Sequence, residues 1–61
     1  MNKVIIIDDE PLARSIVAEY LQTHPGLEVI QQCGDGSEGL KAIQQHQPDL
    51  IFLDKQKKNK H

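Results

Sequence analysis

The sequence predicts an α/β domain in which a short parallel sheet is built in the order β-α-β-α-β. Three observations carry this expectation. Two apolar runs, Val4-Ile5-Ile6-Ile7 and Leu50-Ile51-Phe52-Leu53, have the unbroken character of strands buried on both faces. A third, weaker run covers residues 27–33, and the segments between the three runs carry apolar residues at helical spacing. This alternation of strands and helices demands a parallel sheet.

The elements follow in order. After the first strand, Glu10-Pro11 opens a helix, proline being suited to a first helical position because its missing N–H costs nothing there. Asp8, Asp9 and Glu10 stand at the positive end of the helix dipole. Leu12, Ala13, Ile16, Val17, Tyr20 and Leu21 recur at spacings of three and four and predict one buried stripe, with Arg14, Ser15 and Glu19 on the solvent side. His24-Pro25-Gly26 ends the helix. The second strand, centred on Val29 and Ile30, continues into Gln31 and Gln32, a polarity suited to a sheet edge. Gly34-Asp35-Gly36 turns the chain, and Asp35 with Glu38 has capping-box spacing for a second helix that runs to about His46, with Leu40, Ala42 and Ile43 as its apolar contacts. Gln47-Pro48 stops it, and the third strand ends at Asp54.

Handedness then sets the topology. With the strongly apolar first strand at the centre, right-handed crossovers in opposite directions give the strand order 2-1-3 with the helices on opposite faces. The chain reverses direction between the first and third strands, and the crevice at their C-terminal ends is where such sheets bind ligands.

Size and composition narrow the classes. A chain of 61 residues permits one domain at most, and one this small buries only ~60% of its unfolded surface. Cys33 is the only cysteine, so there is no internal disulfide and no zinc-ligand spacing, and it is read as a packing residue of a reducing, cytoplasmic setting. No apolar run approaches a membrane span, and no signal peptide is expected. Residues 1–54 hold all nine acids against three bases, a formal −6, whereas residues 55–61 hold four lysines and no acid. The expected organisation is therefore a partial domain over residues 1–54 followed by a lysine-rich tail over 55–61, disordered or a cloning or frame-shift remnant. The tail lacks the interleaved aromatics and arginines of a nucleic-acid-binding arm. His24, His46 and His61 share no metal-ligand spacing and are read as ordinary surface residues.

The chemistry gathers at the switch point. Asp8 and Asp9 end the first strand and Asp54 ends the third, so the topology makes neighbours of three carboxylates with no lysine or arginine expected beside them. A hard divalent cation relieves their mutual repulsion, and carboxylate oxygens with water are what magnesium accepts. An oriented aspartate beside it can act as a nucleophile toward a phosphoryl donor and form an acyl phosphate.

These residues carry a family resemblance. Ile5-Ile6-Ile7-Asp8-Asp9-Glu10-Pro11, followed by Asp49-Leu50-Ile51-Phe52-Leu53-Asp54, resembles the receiver domain of two-component response regulators. Gly34-Asp35-Gly36-Ser37-Glu38-Gly39-Leu40 resembles the family's opening of its second helix, and Asp-Asp-Glu-Pro-Leu-Ala-Arg at 8–14 is similar to receivers that precede LytTR-type DNA-binding domains. The resemblance covers residues 1–54. It implies a flavodoxin-like receiver fold, a sensor histidine kinase as partner, Asp54 as phospho-acceptor, and Mg²⁺ held by Asp8, Asp9, Asp54 and the backbone carbonyl of Gln56. It further implies a signalling domain and not an enzyme beyond self-catalysed phosphotransfer, acting on transcription through a separate DNA-binding output domain. Beyond the acceptor the family continues with an apolar residue, a Met-Pro pair and a glycine. Here Lys55-Gln56-Lys57-Lys58-Asn59-Lys60-His61 stands instead, so a receiver truncated after its acceptor is expected, with phosphotransfer impaired and no counterpart of the family's fourth-strand Ser/Thr or fifth-strand Lys.

Two other readings exist. Residues 34–39 spell G-x-G-x-x-G between a strand and a helix, with Asp54 placed like a ribose-binding acid, which resembles a dinucleotide fingerprint. Against it, Asp35 and Glu38 would set negative charge where a pyrophosphate must sit, and Asp8 and Asp9 would have no role. Alternatively, the chain is a non-signalling fragment that self-associates. A third strand without an outer neighbour invites pairing, so a homodimer is expected, through that strand or through exposed sheet faces.

Overall fold

A computed structural model of the protein describes residues 1–54, with Asp54 described through its backbone. Five elements follow one another: β1 (Asn2–Asp8), α1 (Pro11–Gln22), β2 (Leu27–Cys33), α2 (Gly36–His46) and β3 (Leu50–Asp54). The three strands form one parallel sheet in the order β2-β1-β3, as the crossover rule predicts. The lysine-rich segment 55–61 lies outside the described residues.

β1 is the axis of the core, and its alternation divides that core into two layers. Val4 and Ile6 pack with Ala18 and Leu21 of α1, joined by Val17, Leu27 and Val29. Ile5 and Ile7 point the other way and pack with Cys33 and with Ala42 of α2, joined by Ile30 and Ile43. The helices therefore cover opposite faces, and β1 is apolar throughout because both of its faces are covered.

A register shift after Val4 adds a structural feature that periodicity did not predict. Val4 pairs with Val29 but Ile5 pairs with Gln31, which leaves Ile30 as an extra residue on β2. Without it, Cys33 would share the α1 face of Val29, four residues earlier. The bulge switches the phase. Ile30 and Cys33 enter the α2 layer, and Gln31 bonds through Oε1 to Nε2 of His46 at 3.1 Å.

The ends of α2 are built by side chains and by one left-handed residue. Asp35 caps the helix by accepting the N–H of Glu38 at 2.8 Å, and Glu38 Oε1 accepts the N–H of Gly34 at 3.0 Å. This is the expected capping pair, with the return bond made one residue before the cap itself. At the other end Gln47 takes φ 50° and donates its N–H to the carbonyl of Ile43. Left-handed backbone at a helix C-terminus favours glycine, because a Cβ crowds the following carbonyl. Gln47→Gly is accordingly expected to stabilise the chain by about 0.5–1 kcal/mol, read as a higher Tm in circular dichroism.

The apolar stripe expected on α1 is corrected in part. Ala18 and Leu21 are buried and Val17 is half-buried, but Leu12, Ile16 and Tyr20 are 73%, 60% and 62% exposed. These three, spaced by four residues, lie beyond the arc that the sheet covers. Arg14, expected on the solvent side, is half-buried. On α2, Leu40 is exposed while Gly39 and Ala42 face the sheet. No helix among the described residues is long and apolar enough to cross a membrane.

Candidate functional site

The C-terminal ends of β1 and β3 lie side by side, and the parallel register pairs Asp8 directly with Asp54. Adjacent strands run about 4.8 Å apart, so two acids 46 positions apart in the chain become backbone neighbours. The expected convergence at the switch point is therefore present in the backbone.

Asp8 is the buried member of the group, at 3% exposure. Its Oδ1 accepts the N–H of Glu10 at 3.0 Å, which shapes the turn into α1. Its Oδ2 is buried and has no hydrogen-bond partner among the described residues. A buried carboxylate oxygen without a partner is costly, because it has lost water and gained nothing in exchange. Such an atom suits a cation ligand. Asp9 follows at the exposed mouth of the site. Among the described residues no three His, Cys, Asp or Glu side chains gather as a ready ligand set, and the expected ligand Gln56 lies outside the described residues.

Arg14 corrects the expectation of acids without a basic neighbour. Its Nη1 donates to the backbone carbonyl of Asp8 at 2.7 Å. It also passes close to Gly34, where an added Cβ would meet the guanidinium at 3.4 Å. The guanidinium thus ties the end of β1 to α1 and runs beside the β2-α2 turn. Reading Arg14 from its place on the apolar wheel missed this. The usable signal was position: a side chain in the first turn of a helix lies near the strand end from which that helix departs.

Around the site the β2-α2 turn contributes further acid. Asp35 and Glu38 are exposed, and their carboxylates already occupy the N–H groups of Glu38 and Gly34. A pyrophosphate cradled by this glycine-rich turn would have to displace both carboxylates, which weighs against the dinucleotide reading. Cys33, next to this turn, is buried, and its thiol is pushed up by burial, with Glu38 and Asp35 acting in the same direction and Arg14 opposing them. A raised thiol suits the packing role expected for Cys33 and not a nucleophile.

Comparison with known proteins agrees with this geometry. A family model described as "Response regulator receiver domain" matches residues 4–57. The chain is 43% identical over 54 residues to the transcriptional regulatory protein BtsR of Escherichia coli (strain K12), covering 88% of this chain and 23% of that protein. It is 45% identical over 54 residues to an uncharacterized response regulatory protein of Yersinia pestis, with the same coverage of 88% and 23%. The probable C4-dicarboxylate response regulator DctR of Bacillus subtilis (strain 168) is 38% identical over 52 residues, which cover 85% of this chain and 23% of that protein. The chain thus spans about a quarter of the length of these relatives.

Proposed function

The chain belongs to the response regulator receiver domain family, and from that premise we propose that it accepts a phosphoryl group on Asp54 from a sensor histidine kinase, with Mg²⁺ bound beside it. The observation that carries this reading is the backbone pairing of Asp8 with Asp54, together with a buried Asp8 oxygen that has no hydrogen-bond partner among the described residues. Asp8, Asp9 and Asp54 are the protein ligands proposed for the cation, with the carbonyl of Gln56 as a further one. When bound, Mg²⁺ supplies the positive charge that offsets negative charge on the transferred phosphoryl oxygens.

The chain's own residues account for the rest. In the transfer a carboxylate oxygen of Asp54 forms the new P–O bond while the P–N bond of the kinase phosphohistidine breaks, and the freed imidazole takes a proton. The Asp8–Glu10 turn and Arg14 hold the end of β1 on either side of the proposed ligand Asp8. The parallel register sets Asp54 one strand away from it. Control of transcription, named for the relatives that are transcriptional regulators, is proposed for a longer protein of this type in which the receiver acts on a DNA-binding output.

The test is binding of a phosphoryl analogue, with beryllofluoride and Mg²⁺ added to isotope-labelled protein and followed by NMR. Saturable shifts concentrated at Asp8, Asp9 and Asp54, absent with either reagent alone, are the expected result. An unchanged spectrum with both present would leave the chain as a receiver fold without a working acceptor.

A further inference from the structure

Arg14 stands in the first turn of α1 and is half-buried. The pairing of β1 with β2 stops at Ile7 and Cys33, so the next rung would set Asp8 opposite Gly34. Side chains close that rung instead. Arg14 Nη1 donates to the carbonyl of Asp8 at 2.7 Å, and Glu38 Oε1 accepts the N–H of Gly34 at 3.0 Å. A Cβ on Gly34 would lie 3.4 Å from Nη1 and 3.9 Å from Oε1, so both side chains reach the same spot at the strand ends.

The acceptor that Arg14 takes is informative. A guanidinium makes its strongest hydrogen bonds to carboxylates. Here Nη1 bonds the backbone of Asp8, and the buried Oδ2 has no hydrogen-bond partner among the described residues. An arginine paired with Oδ2 would compete with a cation for that oxygen. As built, Asp8 is held at three points: β3 pairs with its backbone, Arg14 bonds its carbonyl, and the Glu10 N–H bonds Oδ1. Only Oδ2 is left over.

We propose that Arg14 is a positioning residue that raises the site's preference for Mg²⁺ over Ca²⁺, by fixing the backbone from which Asp8 presents Oδ2. The inference rests on the cation site proposed above. Mg²⁺ demands near-ideal octahedral oxygens at about 2.0–2.1 Å, whereas Ca²⁺ accepts more oxygens in a flexible geometry. A ligand that can swivel therefore weakens Mg²⁺ binding more than Ca²⁺ binding. The planar fork of arginine fixes a hydrogen-bond direction that a lysine ammonium on its flexible stem does not. Charge alone does not supply this role.

Mg²⁺ and Ca²⁺ titrations of the whole isotope-labelled chain, followed by NMR at Asp8 and Asp9, test this. Arg14→Lys keeps the charge and Arg14→Met removes it. Both ions carry two charges, so a change in fixed charge shifts their affinities alike and cancels from the ratio. Loss of an outer partner of a metal ligand typically weakens binding about 10–100-fold. The expected result is a fall of about ten-fold in the Mg²⁺/Ca²⁺ affinity ratio in both variants, with circular dichroism reporting an intact fold. Lys41→Met, which removes an exposed cation of α2, is expected to leave the ratio unchanged. An unchanged ratio in folded Arg14→Lys overturns the proposal and leaves the cation site standing. A wild-type chain that binds neither ion overturns the cation site and this inference with it.

Discussion

Replacing Asp8 with asparagine is expected to raise the stability of the metal-free chain and to abolish its response to Mg²⁺. The wild-type side chain is buried, with Oδ2 lacking a partner among the described residues and Oδ1 accepting from Glu10. The amide keeps an oxygen for the Glu10 N–H and removes the buried charge. A neutral unsatisfied group costs about 1–3 kcal/mol, and a charged one more, so a gain of about 1–3 kcal/mol is expected in urea unfolding without metal. Mg²⁺ should offset that gain. A ligand at a hundred-fold excess over its Kd stabilises by about 2.7 kcal/mol, and only the wild type should show it. Asp9→Asn, altering an exposed residue, should leave the metal-free stability within about 0.5 kcal/mol. If Asp8→Asn were destabilising and the wild type indifferent to Mg²⁺, Asp8 would be a turn-forming residue and no ligand.

Gly39→Ala is expected to destabilise the chain although alanine is the better helix former. Gly39 is buried in α2 against β1. A Cβ there would overlap Ile7 Cδ1 and approach Ile7 Cγ1 to 2.9 Å. Ile7 is itself packed between Cys33 and Ala42, so it has little room to yield. Overpacking costs typically about 1–3 kcal/mol, against a helix-propensity gain of about 1 kcal/mol. A net loss of up to about 2 kcal/mol is large for a domain of this size, where each kcal/mol moves Tm by roughly 4–8 °C. The Ile7→Val background removes Cδ1, so Gly39→Ala should cost less there, with a coupling of about 1 kcal/mol in a double-mutant cycle. Equal costs in both backgrounds would mean that α2 moves away from the sheet as a body.

Much of this fold is legible in the residues because each element is marked twice. Pro11 and the Asp8-Asp9-Glu10 run mark the start of α1, and the Asp35/Glu38 pair marks the start of α2. β2 and β3 begin at Leu27 and Leu50, the first residues of the runs that predict them. The strand order follows from crossover handedness, and it brings Asp54 beside Asp8 in the backbone. Leu12, Ile16 and Tyr20 show the limit of periodicity. A helical wheel identifies an apolar arc, but the width of the sheet beneath decides how much of that arc is covered.

The sequence by itself determined the element order, the parallel topology and the meeting of two distant acids at one end of the sheet, because these depend on local patterns and on chain handedness. Only the tertiary structure decided which half of α1 is buried, that a bulge at Ile30 turns Cys33 toward α2, and that Arg14 grips the carbonyl of Asp8. Each of these depends on the phase and spacing between elements. A shift of one residue or a few ångströms reverses such a contact while leaving every local pattern unchanged.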